Sequence, residues 1–395
     1  MKRPATSTRG FTLIEMMISL ALGALVLGVA VQLFSQGVNA TWVISQRAEM
    51  QQDLRSATDL LLKDVSLAGS GPPVLAQGIA LPTGTANRPL YGYAPSCTAY
   101  DNCAGLAGTG IVYPCASNVG PCIPTLYGII PGFQQGITPP GSPSRSDVIT
   151  VVYEDTVLAL NCYTVTFPAP PPTVNPVTFT APPNPPPASC ILPPNLAFPQ
   201  AVDDPVVGLK SGDLVLFSNS AGQAIAEVTT ATGGGPYTVT FVDGDPLWLN
   251  QSGAPGDLST ITAGATTVAN RIYVISYYLW LLPDPTGATA GTPVLMRQVN
   301  GQTPVPVAEN VVNMQFTYDT YNTDGTLLNN AGDAGYSVGT SFNLIRKVNV
   351  LHLTIRSQMA GSKTAMAQTR GYQSFDLQTS ISARNLSYQN RYGVN

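Results

Sequence analysis

Hydrophobic and polar positions fall into three patterns along the chain. The first is an unbroken apolar run from Phe11 to Phe34, FTLIEMMISLALGALVLGVAVQLF, in which Glu15 is the one charged side chain. At 1.5 Å per residue a helix of this length spans roughly 36 Å, enough to cross a hydrocarbon core of about 30 Å with some tilt. The second pattern has helical period. Met50, Leu54, Ala57, Leu61, Val65 and Ala68 recur at three- and four-residue steps, while Arg47, Glu49, Gln52, Asp59 and Lys63 lie on other faces. The helix is therefore expected to continue past the apolar run as an amphipathic half, until Gly69, Gly71, Pro72 and Pro73 stop it.

The third pattern has the period of a strand. Extended runs are expected at Asp147 to Tyr153, Leu158 to Val165, Asp213 to Ser218, Ala224 to Thr230, Tyr237 to Val242, Arg271 to Leu282 and Val294 to Val299, separated by Pro, Gly and Asn clusters. RIYVISYYLWLL, from Arg271 to Leu282, is apolar on both faces and predicts a central strand buried twice over. Its aromatics, Tyr273, Tyr277, Tyr278 and Trp280, suit core packing and would also serve as a stacking platform. Near the end, Val312, Met314, Phe316 and Tyr318 alternate with polar residues, as do Phe375, Leu377, Thr379 and Ile381, so both segments read as half-buried strands. Val348 to Ile355 lies between them as a well-buried strand. Three such antiparallel strands offer an apolar face for the helical stripe.

Composition narrows the function. Across 395 residues 44% are hydrophobic and only 10% are charged, which excludes a polyelectrolyte or a wholly disordered chain. The 37 glycines and 35 prolines follow no period and indicate a loop-rich β protein, with length for one large or two modest domains. The net charge is -4. Six of the 18 basic and five of the 22 acidic residues precede residue 69, so the remainder is acidic and offers no stripe for a phosphate backbone. Nucleic acid is not expected as a partner. A single histidine, His352, argues against His-dependent catalysis or a multi-His metal centre, and there is no G-x-S-x-G nucleophile elbow. No enzymatic activity is expected.

Residues 1–10, MKRPATSTRG, hold Lys2, Arg3 and Arg9 and no acid. The positive-inside tendency keeps this stub cytoplasmic and sends the chain after Phe34 outward. A secretory signal peptide would use Val38-Asn39-Ala40 as its cleavage site, but the apolar run exceeds an ordinary signal core and carries an acid near its start. A plain uncleaved anchor accounts for the length and not for Glu15, whose ionised carboxylate asks for a partner in lipid. Snorkelling of Glu15 to the headgroups is the bland alternative. Six cysteines, Cys97, Cys103, Cys115, Cys122, Cys162 and Cys190, then lie where disulfides are permitted. Local pairing gives Cys97 with Cys103, Cys115 with Cys122 and Cys162 with Cys190. The last pair would staple a Pro-rich excursion from Phe167 to Pro199 that reads as solvated polyproline. Zinc is the competing use of the first four, without the C-x-x-C spacing it favours.

Gly10-Phe11-Thr12-Leu13-Ile14-Glu15 after a short basic leader resembles the class III leader of type IV prepilins and of type II secretion pseudopilins. The resemblance implies that a membrane-embedded prepilin peptidase cuts between Gly10 and Phe11 and methylates the new terminal Phe11. It further implies that Glu15 pairs with the amine of an adjacent subunit and sets axial register. The chemistry agrees, because cleavage frees a cation about one helical turn from a lone acid, and each would be costly alone. Ser19 with Gly23, and Ala24 with Gly28, form small-xxx-small pairs that allow close approach of another helix.

Glu309 to Val312, Tyr318 to Gly325, Arg346-Lys347-Val348 and Arg384-Asn385-Leu386 are similar to PilW-type minor pilins and, less closely, to J-type pseudopilins. What the resemblance implies is an α+β pilin-like fold, with a long N-terminal helix packed on an antiparallel sheet and a large loop- and β-rich head. The expected segments are a cleaved leader at 1–10, the transmembrane and spine helix at 11–68, a Cys/Pro/Gly-rich β head at 69–308 and the sheet strands at 309–395. Its partners would be other minor pilins and the major pilin, the prepilin peptidase, the inner-membrane assembly platform, a tip adhesin and the inner membrane itself. The head would be periplasmic before assembly and on the cell surface, in the pilus, after it. Asn322-Thr323-Asp324-Gly325 matches half of a calcium loop, and some pilin relatives bind calcium. Asp319, Asp324 and Asp333 are the side chains that would converge on such a cation; a plain hairpin turn explains the same residues, and no other cofactor is expected. A type II secretion pseudopilin is the nearest alternative function, and a membrane-anchored periplasmic enzyme or binding module a more distant one.

Overall fold

The computed structural model describes residues 11–72, 78–82, 113–114, 122–123, 125–133, 136–140, 142, 144–169, 171, 174–245, 247, 249–250, 256–262, 266–283, 291–300, 302–321, 326–331, 344–356 and 373–386. One helix, α1 (Leu13–Leu67), covers both the apolar run and the amphipathic stripe. The strands follow in order as β1 (Ile79–Ala80), β2 (Tyr113–Pro114), β3 (Cys122–Ile123), β4 (Thr125–Leu126), β5 (Ile129–Gly132), β6 (Val148–Glu154), β7 (Thr164–Thr166) and β8 (Val177–Thr180). Then come β9 (Leu214–Asn219), β10 (Gly222–Glu227), β11 (Thr230–Thr232), β12 (Tyr237–Thr240), β13 (Val268–Leu282), β14 (Thr292–Val299) and β15 (Val305–Glu309). The last four are β16 (Val311–Tyr321), β17 (Leu327–Ala331), β18 (Ile345–Arg356) and β19 (Ser374–Ser382). The architecture is α+β: one long apolar N-terminal helix and a large antiparallel β region.

The chain divides into two compact units, residues 1–52 with 357–373 and residues 53–356 with 374–395. In the first, the helix from Leu13 onward carries Leu20, Leu27 and Phe34 fully in the open, and Arg47 Nε donates to Gln373 Oε1 at 2.8 Å. In the second, a seven-stranded sheet runs β10-β9-β13-β14-β15, with β6 pairing β13 and β5 pairing β6. β13 is its axis, bonded to β9 along Val268 to Ile272, to β6 along Ile272 to Tyr277 and to β14 along Ile275 to Leu282. Tyr277 and Tyr278 are buried and Trp280 packs partly buried against the same core, while Tyr273 is half-buried. Period-two alternation shows in β9, where Leu214 and Leu216 enter one apolar cluster and Val215 and Phe217 the other. A strand buried on both faces needs such residues at every position.

The second cluster lies under a small sheet ordered β11-β12-β8-β7. Here two expectations are corrected. The Pro-rich excursion is not solvated throughout, because Val177 and Phe179 of β8 are fully buried between β7 and β12. Their V-T-F-T alternation makes a strand between proline clusters. The run from Leu158 to Val165 is not one strand either: a 3-10 turn at Leu160–Cys162 precedes the short β7. Asp155 breaks the extended path by accepting the N–H groups of Val157 and Leu158, the usual competition of an Asp side chain with regular backbone pairing. The C-terminal strands form a sheet ordered β17-β16-β18-β19. It joins the larger sheet through Asp147, whose N–H donates to Met314 O at 2.9 Å and whose carboxylate accepts Phe316 N–H at 2.8 Å.

The second half of α1 is held by one buried polar node, and that node lies on the seven-stranded sheet rather than on the C-terminal one. Leu54, Ala57, Leu61, Val65 and Ala68 are buried as the stripe predicts, and Asp64 is buried among them. Its carboxylate accepts Tyr277 OH at 2.6 Å and Arg297 Nε at 2.8 Å, with Tyr153 OH at 3.3 Å. Burial and the adjacent Asp64 charge both push the Tyr277 hydroxyl pKa up. Burial works against the Arg297 charge, and Asp64 more than restores it, so its pKa rises. The helix then ends where Gly69 turns to φ +70°, with Gly69 N–H bonded to Val152 O of β6 at 2.8 Å. A Cβ at Gly69 would also stand 2.5 Å from Leu386. Asp64→Ala strands a half-buried guanidinium and two hydroxyls, and is expected to destabilise this unit by about 2 kcal/mol. A thermal unfolding midpoint lower by several degrees checks it; an unchanged midpoint would deny the node its role.

Candidate functional site

The sequence places its assembly chemistry at the helix start, and there the local geometry is specific. Thr12 is the N-cap: its carbonyl accepts Met16 N–H at 3.2 Å, opening the helix. Thr12 Oγ1 accepts Glu15 N–H at 3.3 Å, and Glu15 Oε2 accepts Thr12 N–H at 2.9 Å and Thr12 Oγ1–H at 3.0 Å. This reciprocal pair is a capping box, which satisfies two N–H groups that a helix start otherwise leaves open. Its T-x-x-E signature, Thr12-Leu13-Ile14-Glu15, coincides with the residues of the processing motif. Thr12 thus joins the site. Both bonds to the carboxylate use Oε2, and among the described residues nothing bonds Oε1. One oxygen therefore fixes the helix start while the other faces outward, free to accept a cation.

Phe11 is 85% exposed at the end of this cap. Gly10 lies outside the described residues. Downstream, a side chain at Gly23 or Gly28 would meet nothing, so both small-xxx-small faces stand open on the helix. The helix is long and apolar enough to cross a membrane.

The other expected site residues separate. Cys162 and Cys190 form a disulfide with Cα atoms 4.5 Å apart. The side chains of Cys97, Cys103, Cys115 and Cys122 lie outside the described residues. So do Asp324 and Asp333. Asp319 faces Lys347 Nζ at 3.7 Å and accepts Asn349 Nδ2 at 3.0 Å, so its carboxylate is engaged in a cross-strand pair between β16 and β18. Among the described residues no group of three or more His, Cys, Asp or Glu side chains converges to hold a metal. His352 Nδ1 meets Asp376 Oδ2 at 2.8 Å across β18 and β19, and Thr354 donates to the other Asp376 oxygen. It is a rim histidine.

A family model described as the prokaryotic N-terminal methylation motif matches residues 6–31. The match takes in Gly10, Phe11, the capping box and most of the apolar run. It supports a class III prepilin leader of the kind that type IV pilins and pseudopilins carry, on a membrane-anchored chain. No curated protein and no solved structure matches the chain.

Proposed function

We propose that the chain is a minor pilin of the PilW type, a non-enzymatic structural subunit that helps prime assembly of a type IV pilus and sits at or near its tip. The observation that carries this is the methylation motif at residues 6–31, which runs into an exposed helix long and apolar enough to cross a membrane. Prepilin peptidase would cut before Phe11 and methylate it, and the amine so freed would meet Glu15 Oε1 of a neighbouring pilin. The cationic leader favours a periplasmic head, and the Cys162–Cys190 disulfide suits that oxidising compartment. A large head fits a tip position better than a place between helically stacked neighbours. Other minor pilins, the major pilin, the assembly platform and a tip adhesin would be its partners in pilus-mediated adhesion and twitching.

Deleting the chain is expected to remove most surface pili and to abolish twitching while leaving protein secretion intact. Unchanged piliation together with a secretion defect would assign the chain instead to a type II secretion pseudopilus, the function to which the same leader and helix are equally suited.

A further inference from the structure

At the end of the end strand β10, two carboxyl groups are buried together. Glu227 is 3% exposed and Asp245 is 7% exposed. Asp245 accepts Leu249 N–H and Asn250 N–H, both at 2.8 Å, so it is built to be the anion. Glu227 has the Leu247 N–H and the Asp245 carboxyl against it, while its Oε2 finds no hydrogen-bond partner. Asn250 completes the attachment: its Oδ1 accepts Glu227 N–H at 2.8 Å, and its Nδ2 donates to Glu227 O at 2.7 Å and Val242 O at 3.2 Å. Among the described residues Asp245 is the one charged group that acts on Glu227. The chain from Pro246 to Gly256 adds no charged side chain, and Asp213, whose carbonyl accepts the Val228 N–H, has its carboxylate on Arg271.

The geometry points to a proton latch: Glu227 and Asp245 share one proton that fastens Asp245 and Asn250 to the end of β10, and loss of that proton loosens this attachment. Two buried carboxylates side by side without a cation cannot both ionise, so one must hold a proton at neutral pH. Asp245 has the backbone donors, which leaves the proton on Glu227. Burial and then the Asp245 charge push the Glu227 pKa up to about 8. The latch has a structural consequence, because Val242, Asp243 and Asn250 form one wall of a cavity of about 270 Å³ whose other walls include Asn175, Asp257 and Leu258. Opening the latch loosens the Asn250 side of that wall, while Phe241 and Val242 stay held by Asn175 and Thr229.

Because the folded pKa of Glu227 lies above its unfolded value, the stabilisation is fully present below about pH 4.5 and is lost as pH rises through about 8. The full chain in detergent micelles is expected to unfold about 5 °C lower at about pH 9 than at about pH 6.5, and Glu227→Gln is expected to remove most of that difference. Should Glu227→Gln not fold, Asp245→Asn relieves the same repulsion. An infrared difference spectrum of the wild type between the two pH values needs no variant at all; it should show one buried protonated-carboxyl band disappear. A flat wild-type profile, the same slope in both variants or no such band would overturn the latch. So would a midpoint at about pH 9 that calcium chloride raises and a chelator lowers in the wild type only, since a cation and not a proton would then join the pair.

Discussion

Glu15→Gln is expected to leave leader cleavage and the helix start intact while reducing incorporation into pili by about a hundredfold or more, a loss of about 3 to 5 kcal/mol for stranding one member of a desolvated ion pair. The observed cap and the proposed pairing both fall on Glu15, which makes this substitution informative. A glutamine oxygen still accepts Thr12 N–H at the cap, as Glu15 Oε2 does at 2.9 Å, so the capping box survives. What glutamine lacks is the charge that a freed Phe11 amine requires in apolar surroundings. Glu15→Ala loses the cap as well, adding only about 1 kcal/mol of helix fraying, so the two variants should be nearly equally defective in assembly. The readout is the ratio of subunit in sheared pili to subunit retained in the membrane fraction. If Glu15→Gln assembles like the wild type, the carboxylate serves as a helix cap and nothing more.

Arg271→Met is expected to be the most destabilising single change in the head, at about 3 to 5 kcal/mol. Arg271 is buried on β13, where Nε reaches Asp155 Oδ2 at 2.7 Å, Nη2 pairs with the same oxygen, and Nη1 reaches Gly208 O at 3.1 Å and Asp213 Oδ2 at 3.4 Å. Burial disfavours its charge, and Asp155 first and Asp213 after it restore that charge, so its pKa stands above the ordinary value. One cation thus neutralises two buried carboxylates and ties three separate segments to the central strand. Methionine fills similar volume but leaves both acids without a counter-charge. Burial already pushes the Asp213 pKa up with Arg271 present. In the variant, carboxyls with raised folded pKa values favour folding most when protonated, so the deficit against wild type should narrow as pH falls towards about 5. Thermal unfolding of both proteins across that range checks the size and the sign together; an equal deficit at every pH would point to lost packing instead.

How much of this was legible in the sequence depended on whether the signal was local. The helix could be read from Phe11 to Ala68 because apolar run, stripe and Gly69 stop are all short-range patterns. β13 was legible for the same reason, its residues being apolar on both faces. Asp64 was not: an acid among stripe residues looks like a solvated position, and the Tyr277 and Arg297 that explain it lie 213 and 233 residues further on. The same holds for Glu227 and Asp245, neither of which has a sequence neighbour that marks it as buried. β8 was hidden because flanking prolines outweighed four alternating residues. The capping box was masked for a different reason, since Thr12 and Glu15 carry two meanings in one motif, a helix cap and a processing signal.

The mass of the mature amino-terminal peptide, isolated from the membrane fraction and from pili, tests the central claim most directly. A chain beginning at Phe11 with one added methyl group is the predicted result. A chain that still begins at Met1, or one that begins at Thr41, would contradict it.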